Sequence, residues 1–294
     1  MSPDRPAPSH VIAHLSDPHL RADGLFAGRI DSAARLRECL ERVAASGERI
    51  DAVVVSGDLT ATAAPAAYEL LRGILEPAAQ RLGAALVVVA GNHDERRPLA
   101  RALTGADSDA PLDTVTTIRG LRILGLDSCR PGYHSGGLSD EQYDWLSGQL
   151  ATPAEHGTLL VMHHPPLAYR STLMQLLDFD DPGRLADVVR GSDVRAILGG
   201  HLHAPTFGAL DGIPVFVAAG VSYVDDAAAP RRALLAVDGP QSWNLVDVHA
   251  DQITCTVAPA RAHPTWSALS QEVLDLLAEV AGEDRRELFS RKRG

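Results

Sequence analysis

Aromatic residues are scarce in this 294-residue chain, at 4%. A core must therefore be filled by Val, Leu, Ile and Ala. Hydrophobic residues of all kinds reach 45%, enough for one large domain or one domain with an appendage. Cysteine is also rare. Cys39, Cys129 and Cys255 are odd in number, far apart and form no C-x-x-C pair. That argues against a disulfide framework and a zinc–thiolate site, leaves packed thiols as the ordinary reading, and points to a reducing cytoplasm. No apolar run is long enough to span a bilayer, and residues 1–10 are polar and proline-rich, without a signal core. Positive charge is in deficit, with a net charge of -11 at pH 7. An acidic surface repels polyanions, which argues against a nucleic acid polymer as partner. A small phosphate ester held by local metal charge is not excluded.

What the chain does have is five short polar clusters, each following an apolar run: Asp17-Pro18-His19, Gly57-Asp58, Gly91-Asn92-His93-Asp94, His163-His164 and Gly200-His201-Leu202-His203. The apolar runs 11–15, 52–55, 86–90, 158–162 and 196–198 read as buried strands. Helices are expected over 32–45, capped by Asp31, over 66–82 with an interruption or kink near Pro77, over 95–103, over 139–150 with Ser139 and Gln142 as a capping box, and over 184–189. Arg119-Gly120 reads as a hairpin turn between strands 114–118 and 121–126. Beyond 205 the chain turns strand-rich, over 206–210, 215–218, 233–237, 245–248 and 253–257, with residues 227–232 as a weak linker candidate. A last helix over 267–280 carries Leu269, Val273, Leu276, Leu277 and Val280 on one face. An alternating first half and a strand-rich second half predict two packed sheets with helices outside, a four-layer α-β-β-α sandwich of the α/β class. Residues 1–264 form the expected catalytic domain and 265–294 a C-terminal helical extension.

Strand ends running into loops are where open α/β sheets place ligand sites. Asp17 and His19 are two apart, as are His201 and His203, so an extended backbone would point each pair to one side. Pro165 and Pro166 keep His164 out of helical geometry. Carboxylate, amide oxygen and imidazole donors suit Mn, Fe, Zn or Co, and two such ions could share a carboxylate.

The set D-x-H, G-D, G-N-H-D, H-H and G-H-x-H resembles the calcineurin-like metallophosphoesterase superfamily from about residue 11 to 260. Ser16-Asp17-Pro18-His19-Leu20, Gly57-Asp58-Leu59-Thr60 and His163-His164-Pro165-Pro166 are similar to its class III cyclic nucleotide phosphodiesterases, the actinobacterial ones above all. The resemblance implies one metal on Asp17, His19, Asp58 and His203, and a second on Asp58, Asn92, His163 and His201. Asp58 would bridge them, beside a hydroxide that attacks phosphorus in line. The metals are expected to be two divalent or mixed-valence ions, iron and manganese first, with zinc or cobalt as alternatives. It further implies that His93 touches the phosphate or leaving oxygen as general acid, and that Asp94 supports catalysis by orienting His93 or its loop. Substrate contacts are expected from Asn92, His93, His203 and His134.

Other polar residues have plainer readings. His164 reads as structural, His14 as a hydrogen-bonded core histidine, and Asp127 as a hydrogen-bonding support. Tyr169, Arg170 and Tyr223 follow metal motifs and are candidates to line a base or ribose pocket. The basic C-terminus, with Arg285, Arg286, Arg291, Lys292 and Arg293, reads as a solvated tail, with weak contact to anionic lipid as the sharper alternative. The resembling enzymes often dimerise.

Two divalent ions, two carboxylates and a hydroxide leave about one positive charge, which a phosphodiester monoanion balances. The leading expectation is hydrolysis of 3′,5′-cyclic AMP to 5′-AMP. A broader phosphodiesterase acting on 2′,3′-cyclic nucleotides or glycerophosphodiesters would use the same donors, and a metal-binding scaffold is the non-enzyme alternative. A protein phosphatase fits less well, because Leu59-Thr60-Ala61-Thr62 lacks that branch's acidic and arginine residues.

Overall fold

The computed structural model describes residues 6–291. Met1 to Arg5, and with them part of the polar N-terminus, lie outside the described residues, as do Lys292 and Arg293 of the basic tail.

Strands β1 (His10–Leu15), β2 (Ala52–Ser56) and β3 (Ala85–Val89) run parallel. They are joined by the amphipathic helices α1 (Ser32–Ala44) and α2 (Pro65–Leu82). β12 (Ser242–Val248) and β13 (Ile253–Pro259) complete a five-stranded sheet in the order β13-β12-β1-β2-β3. After α3 (Arg96–Thr104), β4 (Thr114–Ile118) and β5 (Leu121–Leu126) form the expected hairpin, its turn supplied by Arg119 and Gly120 at φ 44° and 87°. β5, β6 (Thr158–Met162), β7 (Val194–Gly199) and β9 (Ile213–Val217) are parallel neighbours in a six-stranded sheet, edged by β4 and β8 (Thr206–Leu210). Helices α4 (Asp140–Leu150) and α5 (Pro182–Val189) cover its outer face.

The core has three layers of side chains, as a four-layer sandwich requires. Ile12, Val54 and Val87 of one sheet meet Ile123, Val161 and Leu198 of the other between the sheets. Leu36, Leu40, Leu71 and Leu75 seal α1 and α2 onto the first sheet. Leu146, Leu185 and Val189 seal α4 and α5 onto the second. Strands covered on both faces need no alternation, which is why β2 and β6 read as bare apolar runs.

Local expectations held where side chains act locally. Asp31 accepts from the Ala34 amide, and Ser139 and Gln142 form a reciprocal capping box. Pro77 does not interrupt α2, which is a single helix. Pro77 and Gly73 both lie on its exposed face, so the Gly73 carbonyl that Pro77 cannot bond is left to water. Residues 227–232 are not a linker. They close a ribbon of β10 (Val224–Asp225) and β11 (Ala236–Val237), tied down where Arg170 Nε donates to Ala227 O and Thr172 N to Arg231 O. The strand expected over 233–237 shrinks accordingly to two residues.

The last helix starts later than its apolar pattern suggests, as α6 (Gln271–Glu279), because Ser270 caps it; α7 (Gly282–Ser290) follows. The apolar face of α6 has no buried residue, so its periodicity does not mark a core contact. Among the described residues no helix is long and apolar enough to cross a membrane.

Candidate metal centre

All five clusters sit in loops leaving the carboxyl ends of β1, β2, β3, β6 and β7, so parallel strands of two facing sheets deliver them to one rim. The loop after β1 pairs with the loop after β2: Asp17 N donates to Gly57 O at 3.1 Å and His19 N to Asp58 O at 2.9 Å. The loops after β6 and β7 are joined by Gly200 N donating to His163 O at 3.0 Å. The two sheets are stitched together where His201 N donates to Asp17 Oδ2 at 3.1 Å and His163 Nδ1 to Ser56 O at 2.8 Å.

The backbone at these positions is not extended. Asp17, His19, Asp58, His201 and His203 have φ of 53°, 45°, 47°, 69° and 49°. Left-handed backbone at non-glycine residues is costly, and its concentration at five donors is the kind of strain a site holds through its surroundings. The period-two argument for Asp17/His19 and His201/His203 is therefore corrected: left-handed backbone at each of these four residues aims the side chains, and extended alternation does not.

Among the described residues two groups of buried donors form. Asp17, His19, Asp58 and His203 make the first. His19 Nε2 lies 3.1 Å from His203 Nε2 and 3.3 Å from Asp58 Oδ2, and His203 Nε2 lies 3.3 Å from Asp17 Oδ1. His163, His164 and His201 make the second. Asp58 reaches it as well, with Oδ1 3.4 Å from His163 Nε2, and Asn92 Oδ1 is 3.0 Å from the same nitrogen.

Hydrogen bonds to the other ring nitrogens decide which atoms face inward. His163 Nδ1 donates to Ser56 O, His203 Nδ1 to Tyr223 O at 3.1 Å, and His201 Nε2 to Leu177 O at 3.0 Å. The remaining nitrogens face inward and carry either a proton or a lone pair. Without those protons lone pairs would confront one another: His163 Nε2 against Asn92 Oδ1, and His203 Nε2 against Asp17 Oδ1, which is buried without a hydrogen-bond partner. Such an arrangement fits a cation between the donors.

Protonation gives the same picture. Burial would raise Asp17 and Asp58, but their neighbours override it: chiefly His203 for Asp17, which falls to about 2, and chiefly His163 for Asp58, which falls well below the carboxylate range. Burial would lower His163 and His203, yet Asp58 lifts His163 to about 9 and Asp17 raises His203. His19 and His201 are held at about 3, mainly by burial. The two carboxylates thus demand positive charge, which protons on two histidines supply or metal ions would replace.

His164 is excluded from the donor set by its own bonds. Its Nδ1 meets Ser128 Oγ at 3.0 Å and its Nε2 donates to His134 O at 3.1 Å. The structural reading of this histidine agrees. His134 stands beside Asn92, whose Nδ2 donates to His134 Nδ1 at 2.9 Å and so turns the amide oxygen toward His163. The His93 ring stands beside the first group, 4.9 Å from His19, and lies 5.4 Å from His134, and its backbone N–H donates to Asp58 Oδ1 at 2.9 Å. Asp94 does not bond the His93 ring. Its oxygens accept from the amides of Leu59, Thr60 and Gly91 and from the hydroxyls of Thr60 and Tyr68, so it braces two loops, and burial raises it to about 6.

Asp127 binds Arg96 Nε at 2.8 Å and the amides of Leu112 and Cys129, holding loops away from the donors. Tyr169 and Arg170 line a cavity of about 470 Å³ with Leu202 and the β10–β11 ribbon, and the Tyr169 ring lies 5.8 Å from that of His201. Phe26 was missed. It stands in no motif, and only the fold brings it against His19.

Residues 10–205 match the family described as Calcineurin-like phosphoesterase. The chain is 45% identical over 265 residues to a probable cyclic nucleotide phosphodiesterase of Rhodococcus erythropolis, covering 90% of this chain and 88% of the relative. It is 45% identical over 258 residues to a cAMP/cGMP dual specificity phosphodiesterase of Mycobacterium tuberculosis, covering 87% and 81%. Among solved structures, a dimetal phosphatase from Danio rerio superposes with a TM-score of 0.62 at 14% identity, over 86% of this chain and 97% of that one, a likeness of fold alone.

Proposed function

This chain belongs to the calcineurin-like phosphoesterase family, and from that premise we propose that it is a metal-dependent phosphodiesterase that opens 3′,5′-cyclic nucleotides to 5′-nucleotides. One observation carries the reading: the carboxylate of Asp58 faces both donor groups at once, through Oδ2 toward His19 and Oδ1 toward His163. Asp17, His19, Asp58 and His203 would hold one ion, and Asp58, Asn92, His163 and His201 another. Bound there, two divalent ions supply Lewis acidity toward phosphoryl oxygens and lower the pKa of water to about 7. The oxygen and nitrogen donors suit iron and manganese, and equally zinc or cobalt.

The chain's own residues supply the rest. Asn92 is held in one rotamer by His134, so its amide is positioned before substrate arrives. His93 Nδ1 lies 3.4 Å from Ala61 O, which leaves Nε2 for the substrate. From Nε2 a proton passes to the departing ribose oxygen, whose alkoxide is otherwise a poor leaving group. Asp94 keeps the loops carrying Asp58 and His93 in register. The similarity to two enzymes named for cyclic nucleotides supports that substrate class, and a reducing cytoplasm suits three unpaired cysteines.

Metal analysis and kinetics test this reading. About two equivalents of metal are expected after reconstitution with manganese, with hydrolysis of 3′,5′-cyclic AMP abolished by chelation and by Asp58→Ala. A kcat/KM tenfold higher for glycerophosphodiesters or 2′,3′-cyclic nucleotides would overturn the substrate. Metal well below two equivalents with no hydrolysis would leave a scaffold.

A further inference from the structure

Two aromatic rings beside the donors have no part in holding a metal or moving a proton. Phe26 and Tyr223 are parallel to within 6°, with centroids 5.6 Å apart. Each lies over a histidine of the first donor group: Phe26 is 5.1 Å from His19 at 26°, and Tyr223 is 4.0 Å from His203 at 20°. Both rings are half-buried. In a chain with so few aromatics, two aligned rings at the edge of one polar centre need an explanation.

Their settings differ. Tyr223 is fixed from three sides. Its carbonyl accepts from His203 Nδ1, the preceding Ser222 donates its hydroxyl to Asp17 O at 2.7 Å, and Arg35 Nη1 donates to Ser222 O. Phe26 is carried by a small turn closed on itself, where Phe26 N donates to Ile30 O at 2.9 Å and Ile30 N to Phe26 O at 3.0 Å. Ala27 and Gly28, at φ 50° and 68°, make that turn possible. The two rings are too close to admit another between them, since each stacking gap needs about 3.5 Å. A third planar group would have to stack on an outer side of the pair.

We propose that Phe26 and Tyr223 form the platform on which the nucleobase of the substrate stacks, so that they set the preference for nucleotides over base-free phosphodiesters. This rests on the cyclic nucleotide reading above. The donors grip only phosphate, and a cyclic nucleotide has one flat aromatic group left to place. Stacking on an aromatic ring accepts any base, because every base has a π-face. The platform therefore predicts tolerance between adenine and guanine with discrimination against substrates that carry no base.

The test compares 3′,5′-cyclic AMP with methyl riboside 3′,5′-cyclic phosphate, the same cyclic ester without the base. The quantity read is the ratio of the two kcat/KM values, from which any damage to His19 cancels. Phe26→Ala should lower the ratio about tenfold, within the range of about 5- to 150-fold that base stacking spans. Tyr223→Leu should lower it similarly, and Phe26→Trp should preserve it. An unchanged ratio in Phe26→Ala, whether both substrates suffer equally or neither does, would overturn the platform and leave Phe26 as packing for His19. Failure of the wild-type protein to hydrolyse either ester would instead overturn the phosphodiesterase reading itself.

Discussion

His93 shows how much a single residue's role depends on its substrate. If it protonates the leaving oxygen, its removal should matter in proportion to how poor that leaving group is. His93→Ala is expected to lower kcat for 3′,5′-cyclic AMP by about 10²–10⁴, and to cost far less with bis(p-nitrophenyl) phosphate, whose leaving group needs no proton. Equal losses on both substrates would mean that His93 binds phosphate without acting as an acid. His14 makes a different prediction. Its Nε2 meets Ser56 Oγ at 2.9 Å and its Nδ1 the Asn244 amide at 3.4 Å, and burial lowers its pKa from 6.5 to about 3. The unfolded chain takes up the proton first as pH falls. The stability contributed by neutral His14 is complete above pH 6.5 and is lost between there and pH 3, by up to about 1.4 kcal/mol per pH unit. Urea unfolding of His14→Gln from pH 7 to 4.5 should show a shallower loss than wild type; parallel curves would refute it. The core-histidine reading of His14 was legible from its place in an apolar strand, whereas its partners on β2 and β12 were not.

Among the elements, the loops do more than the strands. At Gly91 a Cβ would lie 1.9 Å from the Asp58 amide nitrogen and 2.3 Å from Asp58 Oδ1. At Gly57, φ is 98° and a Cβ would lie 2.4 Å from His163 Nδ1. Gly91 lets the loops after β2 and β3 touch around Asp58, and Gly57 lets the loops after β2 and β6 meet. Gly91→Ala should therefore destabilise the metal-free protein by about 1–3 kcal/mol and reduce bound metal, read by thermal unfolding and metal analysis. A variant with wild-type stability and full metal content would show that the loops can part without loss. The sequence sets both glycines at the head of a polar cluster that follows an apolar run, a position suited to close approach of backbone. It did not reveal the left-handed turns at Asp17, His19, His201 and His203, since aspartate and histidine, though enriched in such turns, are found far more often outside them.

Across the whole molecule, two sheets share one buried layer and the loops at one rim share one site. The helices after β13 lie outside that plan. Among the described residues Ala260 is the last packed in the core, and Trp266 and much of the apolar face of α6 are exposed. Deleting residues 265–294 is expected to shift Tm by less than about 2 °C, within what well under 1 kcal/mol produces in a domain of this size, with metal content unchanged. A drop of 10 °C would show that this segment packs on the domain.

The order and chemistry of the donors were set by the sequence alone, as were the strands that carry them, because apolar runs ending in polar clusters reflect local burial and local loops. Even the division into an alternating half and a strand-rich half followed from pattern. Which donors meet was decided by tertiary structure. His19 and His203 are 184 residues apart and belong to different sheets, and only the packing of those sheets brings their nitrogens within 3.1 Å. The same packing seats Phe26 and Tyr223 side by side, which no spacing along the chain encodes. Distances across a rim depend on sheet separation, strand register and loop strain together, and none of these is written in any one segment.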